Sequence, residues 1–365
     1  MLAMQDFTPP EWPFGEPDLI LTIPATDVPA SGVVDYIDWS IPNPHTEEGK
    51  WVKAVAWKPS APEVLHHALS GWFPEVRADG KGFSWNTALG GYGPGGEENL
   101  TPENTGIYVP AGGSYTFQMH YTTTGKAQTD ETKVGIYFHD EAPEKILRQA
   151  QVADFSLEIP AGEARHHETA YIDIPHDMTI FGTQPHAHYR AISSKLRIQY
   201  PDGREEVLLN QPRYDFGWQR EYHFEGQLKV PAGSRLIADY VYDNSEANPW
   251  NPDATQNVTY GEQSWEEMMV TFIRYSWDDE TKDSLKEEYQ DQLQAGILFG
   301  ALDDNRDEEL QQAEFRNASN LAIMKQNFAL LDQDGNGGAS RAEFQAAQDF
   351  LRNMRQRGGT SGGEQ

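Results

Sequence analysis

From Asp18 onward the apolar positions fall into short extended runs broken by Gly, Pro, Asn and Asp. Residues 19–23, 33–39, 51–57, 106–109, 114–121 and 133–138 carry β-branched or aromatic side chains between such breakers, and each is predicted to be a strand. One turn recurs in variants: Val28-Pro-Ala-Ser, Val109-Pro-Ala-Gly, Ile159-Pro-Ala-Gly and Val230-Pro-Ala-Gly. Each ends one run and opens the next, because Pro fixes φ and Gly frees it. Pro201-Asp-Gly between two further runs, 196–200 and 205–209, predicts a hairpin. Many short strands at this spacing predict a mainly β chain built of antiparallel, jelly-roll-like β-sandwiches. Because the turn recurs in both halves, two tandem domains are expected, over 17–150 and 151–277, with the join between 144 and 154. After Tyr275 the period changes: Leu285, Tyr289, Leu293 and Ile297 recur at helical spacing, so 278–357 is expected to be a small α-helical module. The Pro-rich residues 1–16 read as an extended lead-in and 358–365 as a disordered Gly/Ser tail.

Composition narrows the partners. The chain has 365 residues, enough for two or three domains with their own cores, and 38% of them are hydrophobic. It contains no run of 18 apolar residues, so no membrane span is expected. The first twenty residues lack the basic start and apolar core of a signal peptide, which leaves a cytosolic protein, a mature chain or a piece of a longer one. A formal charge of −29 repels nucleic acid and anionic lipid and favours metal cations. Cysteine is absent, so disulfides and thiolate chemistry are excluded, and any metal must be held by His, Met, Asp, Glu or backbone.

Histidine supplies the first candidates. In Gly182-Thr-Gln-Pro-His-Ala-His-Tyr-Arg190, His186 and His188 stand i, i+2 in a strand-like context, and such residues share a face. Two imidazoles a few ångströms apart make half of a transition-metal site and suit Zn, Cu, Fe or Ni alike. His66-His67 and His120 lie in the first half; adjacent histidines chelate together only at a bulge or strand end. Met268, in Glu266-Glu267-Met268-Met269, reads as core filler by itself, yet beside two histidines its thioether is a soft ligand for Cu(I). His166-His167 sits in a charged run, and His45, His139, His176 and His223 lack partners. The Gly-rich stretch 90–96 has no helix behind it and reads as a surface loop rather than a phosphate cradle.

Two acidic loops fit the EF-hand ligand spacing of 1, 3, 5, 7, 9 and 12. The first is Asp303, Asn305, Asp307, Glu309, Gln311 and Glu314; the second is Asp332, Asp334, Asn336, Gly338, Ser340 and Glu343. Gly337 fills the sixth place of the second loop, where the chain turns sharply, whereas the first has Glu308 there. Leu310 and Ala339, both at position 8, are placed to meet across the loops. A Ca2+-binding EF-hand pair is therefore expected.

The order His66-His67, then Met119-His120-Tyr121, then His186-x-His188, then Glu267-Met268 resembles the copper type II, ascorbate-dependent monooxygenases. That family is typified by peptidylglycine α-hydroxylating and dopamine β-monooxygenases. The resemblance spans roughly residues 17–275. It is greatest to bacterial members, through Pro201-Asp-Gly-Arg, Tyr214-Asp-Phe-Gly-Trp-Gln219, and Asp243-Asn-Ser with Asn251-Pro-Asp253. It implies two copper ions. His66, His67 and His120 would hold an electron-transfer copper, and His186, His188 and Met268 an oxygen-activating copper that hydroxylates a C–H bond of a small organic substrate. O2 and ascorbate or another one-electron donor are the implied partners, and a periplasmic or secreted location the implied compartment. Two metals follow from the reaction, which takes two electrons while each copper supplies one. Peptide-amidating members carry Arg, Asn and Tyr where this chain has Gln184, Val270 and Phe272, which cannot clamp a carboxylate by charge-assisted hydrogen bonds. A glycine-extended peptide is therefore not expected as substrate. A non-catalytic copper-handling protein and a Ca2+-dependent adhesion or scaffold protein are the alternatives.

Overall fold

The computed structural model describes residues 11–83, 87–93, 96–315 and 322–359. Residues 1–10 of the lead-in expected over 1–16, residues 360–365 of the tail expected over 358–365, and positions 94–95 of the Gly-rich stretch lie outside them. The chain is mainly β, with 43% strand and 10% helix. It divides into two compact units, 1–149 with 280–285, and 150–279 with 286–365.

In the first unit, a six-stranded sheet runs Leu19–Thr22, Lys133–Phe138, Lys50–Lys58, Thr105–Val109 and Lys145–Ile146, with Glu98–Leu100 also pairing with Lys50–Lys58. A four-stranded antiparallel sheet runs Ile37–Pro42, Ser114–Tyr121, Leu65–Phe73 and Thr87–Tyr92. Every residue of Ser114–Tyr121 but Gln118 is buried, and the apolar Tyr115, Phe117, Met119 and Tyr121 share one face of the strand. The Phe117 ring meets Trp57 of the larger sheet edge to face at 5.9 Å, so the two sheets share apolar surface.

The second unit has two four-stranded sheets, one ordered Arg148–Ala153, Val270–Trp277, Met178–His186, Tyr222–Val230 and the other His166–Asp173, Arg235–Tyr242, Ala191–Gln199, Glu205–Gln211. Inward positions of both, among them Ile180, Ile273 and Trp277 from one and Ile172, Leu196 and Leu236 from the other, form a single buried cluster. Leu293 and Ile297 of the helix Glu287–Gly300 join it. That helix begins after Leu285, which is exposed, so the predicted helical period starts one position too early.

The recurrent turns behave as their residues require. Gly112, Gly162 and Gly233 close the three Pro-Ala-Gly turns at φ of 70°, 70° and 81°, a left-handed conformation that costs Gly nothing. At Pro201-Asp-Gly the chain reverses, with Gly203 at φ 84° and the Tyr200 amide donating to the Arg204 carbonyl at 2.8 Å. Two expectations change. The run at 33–39 is strand only from Ile37, and Gly90–Tyr92 belongs to the edge strand Thr87–Tyr92 instead of a surface loop. Gly fits there because a Cβ at Gly91 would press on the Ala68 carbonyl oxygen at 2.7 Å. The final helix, Arg341–Gly359, includes the first two residues assigned to the tail. Among the described residues no helix is long and apolar enough to cross a membrane.

Candidate functional site

In the first unit, His66 and His67 open the strand Leu65–Phe73 and His120 lies on its neighbour Ser114–Tyr121. The register advances two residues from Leu65 to His67 against one from Tyr121 to His120, which makes His66 the extra residue of a β-bulge. That kink lets adjacent imidazoles turn toward the same point. His66 Nδ1 and His120 Nδ1 each lie 3.1 Å from His67 Nδ1, and one ring nitrogen from each of the three falls within 4.8 Å of the other two. Nitrogens bound to one metal at about 2.0–2.1 Å stand roughly 3 Å apart, so the spacing suits a shared ion. Tyr36 packs over the cluster, its ring 4.5 Å from that of His120 and 5.7 Å from that of His67.

In the second unit, His186 ends the strand Met178–His186 and His188 follows it, so the pair is only half in the strand. Their rings still meet, 5.2 Å apart and at 89° to each other. The segment is held from several sides. Tyr214 fixes the residue between the histidines, its hydroxyl accepting from the Ala187 amide at 2.9 Å and donating to the Ala187 carbonyl at 3.0 Å. The His186 Nδ1–H donates to Gln219 Oε1 at 2.5 Å, which leaves Nε2 as the acceptor and potential ligand. Burial pushes the His186 imidazolium down to about 4, so the ring is neutral at pH 7.

Glu267 ties this segment to the methionine. It is fully buried, and its Oε2 accepts from the backbone amides of His188 at 2.6 Å and Met268 at 3.0 Å, while Oε1 accepts from that of Arg190 at 2.7 Å. Burial raises its acid to about 7 against the opposing pull of the three amides. The half-buried Met268 is fixed at its carbonyl as well, by the Tyr242 hydroxyl at 2.9 Å. Arg190, buried, donates from Nε to Asn244 Oδ1 at 2.8 Å and from Nη1 to the Trp265 carbonyl at 2.9 Å.

The cross-strand register sets Gln184 opposite Phe272 and His186 opposite Val270. Gln184 spends its amide on the Gln219 carbonyl at 3.0 Å, Val270 is buried, and the Phe272 ring lies 6.3 Å from that of His186. Sequence reading assigned no role to Glu267, Gln219, Tyr214, Arg190 or Asn244, although each lies in a segment quoted above or beside the histidines. Of the histidines set aside, His166 meets Glu168 at 3.1 Å, His139 meets the Thr105 carbonyl at 3.0 Å and His176 stacks on Tyr289 at 3.4 Å.

The two acidic loops share a set of internal hydrogen bonds. The Oδ1 and Oδ2 of Asp303 accept from the amides of Asp307 and Glu308, both at 3.1 Å, as those of Asp332 do from Asn336 and Gly337, both at 3.0 Å. Glu314 accepts from the amides of Asp304, Asn305 and Gln311, and Glu343 from those of Gln333, Asp334 and Ser340. Asn305, Asp307, Asp334 and Asn336 each accept from the amide two residues on. Positive φ falls at the same two places, Arg306 and Glu308 in one loop and Gly335 and Gly337 in the other. Glu309–Leu310 pairs antiparallel with Ala339–Ser340, setting Leu310 opposite Ala339. Asp332, Asp334 and Glu343 bring carboxylate oxygens within 4.8 Å of one another. The Ser340 hydroxyl donates to Glu343 at 2.7 Å, and a Cβ at Gly338 would meet the Glu309 carboxylate at 2.6 Å.

No family model matches this chain, and no curated protein matches it. Solved structures with some likeness include the major capsid protein P2 from bacteriophage PM2, 8% identical, covering 72% of this chain and 100% of that one at a TM-score of 0.27. A D431N mutant of the VP2 protein of infectious bursal disease virus is 10% identical and covers 74% of this chain and 72% of that one at a TM-score of 0.21. Latent PorU from Porphyromonas gingivalis is 9% identical, covering 68% of this chain and 25% of that one, with a TM-score of 0.18. Likenesses this weak carry no argument about fold or function.

Proposed function

We propose that the protein is a copper-dependent monooxygenase of two tandem β-sandwiches with a Ca2+-binding EF-hand pair at the C-terminal end. The observation that carries this reading is the bulge at His66, which sets three imidazoles from two strands around one point. His66, His67 and His120 would hold one copper, and His186, His188 and Met268 the other. Bound copper supplies one-electron redox chemistry and activation of O2. The protein's own part is to orient and insulate. Gln219 selects the His186 tautomer, Tyr214 and Glu267 fix the backbone that carries both histidines, and Glu267 joins that backbone to Met268. Ascorbate or another one-electron donor is the reductant and a small organic molecule the substrate. Gln184, Val270 and Phe272 offer no cation for a carboxylate, which favours a neutral, apolar substrate over a peptide terminus.

The matched hydrogen bonds and positive-φ positions of the two loops support Ca2+ as the ion of the C-terminal module. The test is O2 uptake with copper, ascorbate and candidate substrates in wild type, His186→Ala and Met268→Ala. Loss of substrate-dependent uptake in both variants is expected; full uptake in both would remove the proposal. The commitment of the Gln184 amide to a backbone carbonyl favours one second reading, a copper-handling protein without catalysis. It predicts two bound coppers and no hydroxylated product in a metabolite screen.

A further inference from the structure

Three carboxylates of the second unit that no proposed ligand set includes converge beside the first acidic loop. Asp154 follows the strand Arg148–Ala153, Glu168 lies on His166–Asp173, and Asp304 is the second residue of the first acidic loop. One carboxylate oxygen from each falls within 4.8 Å of the other two. Acidic clusters are common on protein surfaces, but Asp154 is not a surface residue: it is 4% exposed. Its Oδ1 accepts from the Ser156 amide at 2.7 Å and the Ser156 hydroxyl at 2.8 Å. Its Oδ2 is buried and has no hydrogen-bond partner among the described residues.

A buried carboxylate oxygen without a donor, set beside two more carboxylates, is costly unless a proton or a cation answers it, and a cation answers all three at once. The charges of Glu168 and Asp304 both act against ionisation of Asp154, on top of the larger effect of burial. Glu168 is itself well placed to ligate, since its side chain is only 11% exposed and is fixed by His166 Nε2 at 3.1 Å and the Thr169 amide at 3.3 Å.

We infer that Asp154, Glu168 and Asp304 form a further divalent-cation site, for a hard, oxygen-binding ion of the Ca2+ class. Ca2+–oxygen distances of about 2.3–2.6 Å allow two oxygens on one ion to stand up to about 5 Å apart, and the cluster lies inside that limit. Position 2 of an EF-hand loop is not among its ligating positions, so Asp304 is not committed to the loop's own ion. The ion would connect the first acidic loop to the segment beside the methionine, because the Asp154 amide donates to the Met269 carbonyl at 3.1 Å. The site stands on its three oxygen donors and does not depend on either loop binding Ca2+.

The test counts Ca2+ bound to the full chain by equilibrium dialysis after chelator treatment, in wild type, Asp154→Asn, Glu168→Gln and Glu343→Gln. Asp154→Asn and Glu168→Gln are each expected to bind one ion fewer than wild type, and Asp154→Asn combined with Glu343→Gln two fewer. Glu168→Gln alters a more accessible strand position and keeps the test open if Asp154→Asn does not fold. A wild-type count in the folded variants of both Asp154 and Glu168 overturns the site. The Glu343→Gln count reports on the second loop separately, so failure of the loop reading is told apart from failure of this one.

Discussion

Replacing Glu267 with Gln removes one oxygen from the point where three backbone amides meet. The amide side chain can keep the two bonds made by Oε2, to His188 and Met268, but its NH2 then faces the Arg190 amide. One buried N–H loses its acceptor, at about 1–3 kcal/mol, and above pH 7, where Glu267 is mostly ionised, the two retained bonds weaken as their acceptor loses its charge. Relief from burying a carboxylate offsets part of this. The net loss is about 2 kcal/mol, which for a unit of this size lowers Tm by about 4–8 °C. The sharper consequence is local. Loosening the backbone between the histidines and Met268 should weaken copper at the His186, His188 and Met268 site by about 10–100-fold. Copper at the His66, His67 and His120 site should keep its affinity. Copper titration followed by electron paramagnetic resonance reads the two sites separately, beside a thermal melt of the metal-free chain. Unchanged Tm together with equal affinity at both sites would refute the role given to Glu267.

Further outcomes follow from other contacts. Gln219→Ala should free the His186 ring and weaken copper at that site by about 10-fold or more, measured by competition with a chelator. Arg306 holds φ at 59°, so Arg306→Gly should stabilise the metal-free C-terminal module by up to about 1 kcal/mol, whereas Gly337→Ala, at φ 100°, should destabilise it by about 1–2 kcal/mol; thermal melts read both. Ala at Gly300 would overlap the Tyr171 carbonyl oxygen, and the variant should lose more than about 2 kcal/mol in denaturant melts as the helix Glu287–Gly300 is displaced.

Much of the β architecture was legible because it depends on local rules. The Pro-Ala-Gly turns, the Pro201-Asp-Gly hairpin and the strand Ser114–Tyr121 each follow from residues a few positions apart. The bulge was legible as a condition: two adjacent histidines needed one to share a point, and the register supplies it at His66. Features set by distant chain segments were not legible. Glu267 lies 79 residues from His188 along the chain, and nothing in its own neighbourhood marks it as the acceptor for that amide. Gly90–Tyr92 read as loop because glycine runs usually do; pairing with Leu65–Phe73 overrides that preference. Asp154 sits in an ordinary stretch of sequence, and only the fold carries Glu168 and Asp304 to it.

Whether the chain holds the two unlike copper sites proposed above is decided by the copper count of the purified full chain after reconstitution. Two ions per chain are predicted, with His67→Ala losing one and His188→Ala losing the other, each with a distinct spectroscopic signature. No bound copper, or the same ion lost in both variants, would contradict the account.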